Sequence, residues 1–114
     1  MFIEVGEKLH VVYRSLYDKS TRRHFLGEVF KAEGALCRLA GYWFIYDDKK
    51  TEFFKKEELR ITIIDVAESG YIVNVVDPDV VLENVQYHYL PNIGLAATDG
   101  RDFVLNINEF GFRS

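Results

Sequence analysis

The sequence predicts an all-β protein with at most one short helix, built as a small antiparallel β-barrel or a strongly bent two-sheet fold of about eight strands. Three observations point there. Val, Ile and Thr make up 24 of the 114 residues and Phe, Tyr and Trp another 17; these are the side chains that fit a pleated surface. Turn residues recur about every 8–12 positions, the spacing of consecutive antiparallel strands. No amphipathic stretch is long enough to form the crossover helix that a parallel sheet needs. No repeat, linker or low-complexity tract divides the chain, so residues 1–114 read as one domain. A domain of this length can hold a core without metal or disulfide staples.

The first strand is expected over Lys8–Tyr17, where Leu9, Val11, Tyr13 and Tyr17 form one face. Asp18–Thr21 is a polar turn, and a second strand follows over Arg22–Ala32. Gly27 inside that strand marks a bulge, a bend or a close backbone approach. With Tyr17 placed opposite Arg22, His24 would face Ser15 and His10 would face Val29, so the two histidines would not meet. Lys31–Gly34 turns the chain into Ala35–Tyr46, the longest and most apolar strand. Asp47–Lys50 is a turn, and Thr51–Phe54 is a short strand. Lys55–Glu58 is a charged connector. Leu59–Val66 and Tyr71–Val76 read as a hairpin closed by a four-residue loop ending in Gly70.

Asp77-Pro78-Asp79 is the one helix signal. Asp77 suits the N-cap, Pro78 the first helical position, and Asp79 the positive end of the dipole. One or two turns are expected, with Val80, Val81, Leu82 and Val85 inward. Gln86–Leu90 returns to strand and Pro91-Asn92 ends it. Ile93–Thr98 and Arg101–Asn108 flank Asp99-Gly100, a two-residue hairpin signal.

The net charge of −4 is unevenly spread. Residues 1–60 carry 12 basic and 10 acidic side chains, whereas residues 61–114 carry 2 and 8. The single cysteine, Cys37, forms no internal disulfide, which fits a reducing compartment. Residues Met1–Lys8 lack the basic and apolar regions of a secretory signal. No stretch approaches the roughly 18 apolar residues of a membrane span. A cytoplasmic protein that does not engage membranes is the expectation.

Catalytic signals are missing. There is no glycine-rich phosphate loop, HExxH or GxSxG. His10, His24 and His88 lack metal spacing, and Cys37 sits among apolar same-face neighbours, Leu39, Trp43 and Ile45, as an inert core thiol. Asp77/Asp79/Glu83 and Asp99/Asp102 read as caps and turns. No catalytic residue, cofactor or metal is expected. The remaining signal lies in the third strand, where both faces are apolar from Tyr42 to Tyr46; a one-sided sheet would alternate. The expected function is therefore a non-enzymatic binding or assembly module that forms a homo-oligomer through Tyr42, Phe44 and Tyr46. The alternative is a small barrel binding single-stranded nucleic acid through two basic turns, Lys19, Arg22 and Arg23 in one and Lys49, Lys50, Lys55 and Lys56 in the other, with aromatic residues beside both.

Overall fold

The computed structural model describes residues 3–13, 22–67 and 70–107. The protein is all-β, as the residue types dictate, in two antiparallel sheets of six and three strands that do not close into a barrel. The chain divides into two compact units, Met1–Pro78 and Asp79–Ser114. The first contains β1 (Lys8–Tyr13), β2 (Arg23–Glu33), β3 (Leu36–Asp47), β4 (Glu52–Lys55), β5 (Arg60–Asp65) and β6 (Tyr71–Val76). The second contains a 3₁₀ turn at Leu82–Asn84, β7 (Gln86–Leu90), β8 (Gly94–Thr98) and β9 (Val104–Asn106).

In the first unit the sheet order is β4-β3-β2-β1-β6, with β5 also paired to β3. One edge of β3 follows β2 along most of its length. The other edge is divided, Leu36–Gly41 pairing with β5 and Phe44–Asp47 with β4. Leu9, Val11, Phe25, Val29, Cys37, Leu39 and Ile64 form one buried cluster on one face of this sheet, joined by Ile3, Ala32, Trp43, Val66, Tyr71 and Val73. Residues from both edge strands, β5 and β6, thus share a core. A flat sheet would hold those edges four strand spacings apart, roughly 19 Å. The connection at 66–70 would have to be almost fully extended to cross that gap. Instead its described residues, Val66, Ala67 and Gly70, lie in turns, with the Ala67 amide donating to Asp65 Oδ1 at 3.0 Å and Gly70 at φ +102°. The sheet therefore curls.

Gly27 and Gly41 face each other across β2 and β3 at the crease of that curl. A Cβ on Gly41 would overlap the Leu26 carbonyl oxygen and lie 2.5 Å from the Gly27 Cα, while one on Gly27 would lie 2.6 Å from the Phe25 ring. This is the close backbone approach expected at Gly27. The bulge in β2 lies further along, where Phe30 interrupts the register between Val29 and Lys31.

Three local expectations are corrected. First, β1 pairs with β2 as His10↔Leu26 and Val12↔His24. This differs from the expected register by an odd number of residues, so which residues of β1 and β2 share a face changes. His10 and His24 become diagonal neighbours, with ring centroids 5.4 Å apart. Residues 14–21, including the last part of the expected strand and its turn, lie outside the described residues. Second, β5 and β6 do not form a hairpin: β5 pairs with β3 and β6 with β1. Third, the segment after Asp77 holds a single 3₁₀ turn, preceded by extended Val81 with no side-chain cap. Val80 and Val85 are the buried residues there. Their five-residue separation does not share an α-helical face, and two adjacent β-branched residues oppose helix initiation.

The second unit is a meander, β7-β8-β9. Its β8–β9 hairpin forms where Asp99-Gly100 signals it, but the strands begin pairing at Thr98↔Val104, leaving a five-residue loop, 99–103. The Asp99 carboxylate accepts from the Arg101 and Phe103 amides at 2.8 and 3.3 Å. These bonds favour the wider loop over a two-residue turn.

The crease makes a direct prediction. Gly41→Ala forces β2 and β3 apart, because the obstructing atoms are backbone, and costs at least about 2 kcal/mol. Gly34→Ala meets no atom but sits at φ +56°, and costs about 1 kcal/mol. Urea unfolding followed by Trp43 fluorescence measures both. A Gly41→Ala protein as stable as wild type would remove the crease argument.

Candidate functional site

The first unit brings together most of the residues singled out by the sequence. By register, Arg22 immediately before β2, His24 and Leu26 of β2, Tyr42, Phe44 and Tyr46 of β3, and Phe53 and Lys55 of β4 share the face opposite the Phe25 cluster. Phe44 is only 1% exposed within the single chain. It is a core residue and presents no surface. Tyr42 and Tyr46 are half-buried on either side of it. The face of the apolar run in β3 that carries Phe44 is thus covered at that residue.

Each flanking tyrosine carries a cation. Lys55 Nζ lies 4.6 Å from the Tyr42 ring centroid and 5.7 Å from that of Phe44. The Arg22 guanidinium lies 5.3 Å from the Tyr46 ring, whose edge meets Phe53 at 5.2 Å. One member of each basic turn therefore converges on the same aromatic strip. Arg23, Lys49, Lys50 and Lys56 remain exposed, and Asp47 Oδ1 accepts from the Lys49 and Lys50 amides to fix the β3–β4 turn. Lys19 lies outside the described residues.

The same face carries His10, His24, Val12 and Leu26, all buried. The Phe53 ring stacks 4.7 Å from His24. Burial, reinforced by the neighbouring His24, lowers His10 from its ordinary 6.5 to about 3. The thiol of Cys37 is buried and is pushed up by that burial and by the charge of Glu7, which leaves it an unreactive core residue. Among the described residues no three His, Cys, Asp or Glu side chains are grouped to hold a metal ion, and no helix is long and apolar enough to cross a membrane.

The feature that sequence reading missed is the outer edge of β5. Ile61 and Ile63 are 67% and 59% exposed, with Leu59 and Leu36 exposed beside them. The sequence offered only an apolar run, Ile61-Thr62-Ile63-Ile64, which reads equally well as a buried strand. The phase of the edge follows from one bond. The Val66 amide donates to the Ala35 carbonyl at 2.9 Å, in register with Leu36↔Asp65. Hydrogen-bonded pairs alternate along an antiparallel ladder, so residues 60, 62 and 64 direct their backbone groups toward β3. Ile61, Ile63 and Asp65 direct theirs outward. Among the described residues β5 pairs with β3 alone. The two most exposed isoleucines of the chain thus also carry outward-facing N–H and C=O groups.

Comparison with family models, curated proteins and solved structures finds no match for this chain.

The buried histidine sets a pH dependence. Unfolded, His10 takes up a proton near pH 6.5; folded, it resists until about pH 3. Its contribution is complete above pH 6.5 and is lost as pH falls toward 3, at up to ~1.4 kcal/mol per pH unit. Urea unfolding at pH 7.5 and 5.0 should differ by about 2 kcal/mol, with His10→Gln flattening the dependence. A wild-type midpoint that does not move between those pH values contradicts this assignment.

Proposed function

We propose that the protein is a non-catalytic binding or assembly module whose contact surface is the outer edge of β5. The observation that carries this reading is the coincidence, on Ile61 and Ile63, of exposed β-branched side chains and outward backbone groups. An edge strand with such a profile is a template for a further strand. Proteins that keep an edge unpaired place lysine, proline or a bulge within it; β5 has none between Arg60 and Asp65. Burying two isoleucines would contribute about 1.5–3 kcal/mol each before the cost of association. The sequence-based expectation of an interface at Tyr42, Phe44 and Tyr46 is thereby relocated along β3 to its other half, since Phe44 is enclosed and both tyrosines carry cations.

A photo-crosslinking amino acid at position 61 tests the surface in cells expressing the full chain. Discrete adducts are expected from position 61 and none from exposed Lys50. Equal labelling from both positions, or none from position 61, would overturn the reading.

One observation favours a second reading, binding of single-stranded nucleic acid: Arg22 and Lys55 meet on the Tyr46, Phe53 and Tyr42 strip. Base stacking there requires displacing the cations that already cover the rings. Oligonucleotide affinity should then fall steeply with salt, and changing Lys49, Lys50, Lys55 and Lys56 to Gln should flatten that slope. No binding of a single-stranded oligonucleotide at low salt removes this second reading.

A further inference from the structure

We propose that a groove on the exposed side of the first sheet binds a short aliphatic carboxylate between Lys31 and Arg38. This small-molecule site goes beyond the contact surface proposed above and does not depend on it. The bulge in β2 creates it. Val29 pairs with Leu39 and Lys31 with Arg38, while Phe30 is passed over. In an uninterrupted ladder Phe30 would meet Arg38, and Lys31 would fall opposite Cys37, whose side chain is buried in the core. The extra residue turns Lys31 to the exposed side instead, where it faces Arg38 directly. Re-aiming a side chain in this way is a recurrent use of bulges beside functional sites. Across its other edge Arg38 faces Ile63, so Lys31, Arg38 and Ile63 form one row over three strands. Glu33 and Leu36 pair two residues further along and share that face.

Like charges directly opposite each other on a ladder repel. Among the described residues neither Lys31 nor Arg38 forms an ion pair. The row thus holds two positive charges side by side without a counter-charge of its own. Both border the same groove, together with Glu33, Leu36 and Ile63. Its volume of about 130 Å³ equals roughly four waters and falls below the roughly 300 Å³ at which pockets take drug-sized molecules. A ligand of a few heavy atoms fits that space. Two bases and one acid leave the lining with a single positive charge, which a monoanion balances; a phosphate dianion would leave excess negative charge beside Glu33. The planar Arg38 guanidinium can take a carboxylate through two parallel hydrogen bonds, with Lys31 adding a point charge. Leu36 and Ile63 are 50% and 59% exposed, and an alkyl chain lying over them removes apolar surface from water.

The test uses the full chain. Heteronuclear NMR follows titration with butyrate through the millimolar range at low salt, with butylammonium, butanol and inorganic phosphate in parallel. Saturable shifts centred on residues 31, 38 and 63 are expected from butyrate, weakening as salt screens the charges, and none from butylammonium or butanol. Arg38→Gln should lower butyrate affinity about fivefold, and Glu33→Gln should raise it about twofold, with the remaining resonances in place. Absence of saturable shifts with butyrate overturns the proposal. Equal shifts with butanol, or tighter binding of phosphate than of butyrate, overturn it as well. Butyrate binding that Arg38→Gln leaves intact does the same, because the carboxylate then sits elsewhere.

Discussion

The approach of two backbones at Gly27 and Gly41 is the constraint on which the first unit depends. Where side chains are missing from two facing positions, strands can close to a distance that a Cβ would forbid. The sheet bends at that crease, and the Phe25 ring lies over the gap, meeting Trp43 edge-on at 4.9 Å. Bending brings β5 and β6 around one core, so that Ile64 from one edge and Val73 from the other belong to the same cluster. The sheet curls without closing: among the described residues β5 pairs only with β3 and β6 only with β1.

The opposite face follows a different logic. It encloses two imidazoles, Phe44 and Leu26, and then grades through half-buried tyrosines to lysine and arginine. Long cationic side chains lie across aromatic surface, and one guanidinium nitrogen of Arg22 is itself buried. Arg22 and Lys55 thereby shield rings that would otherwise form an apolar patch. Basic residues beside aromatics in a sequence suggest a nucleic-acid site; in this fold two of them, Arg22 and Lys55, lie against those rings.

Much of the architecture was legible because period-two patterns act locally. The boundaries of β2, β3 and β4, the assignment of Cys37 and Leu39 to the core face, and the β8–β9 hairpin all follow from alternation and turn chemistry. What failed was pairing. The register of β1 against β2 differs from the expected one by an odd number of residues, and no alternation pattern within either strand fixes its offset against the other. Strands β5 and β6 looked like hairpin partners because Gly70 promises a reversal, and only the curl of the whole sheet gives each a different neighbour. Asp77-Pro78 carried a good cap, but the valines that follow are too far apart in phase to make a buried helical side. The β5 edge escaped notice for the same reason: whether Ile61 is inside or outside depends on which strands surround it, and that is a property of the ladder.

The pairing of β6 with β1 carries a kinetic consequence. Strands β2, β3 and β4 meet through short reversals, and such contacts close at little entropic expense. Tyr13 and Tyr71, by contrast, stand opposite each other with rings 5.4 Å apart, and their meeting closes the whole stretch 14–70. Contacts of such long sequence separation form late and slow the search. The β2–β3–β4 ribbon, with β5 alongside, is thus the natural nucleus, and docking of β6 completes the first unit. Until that step, β1 presents a second bare edge, so nascent chains face their greatest risk of misassociation while this final strand is still unplaced.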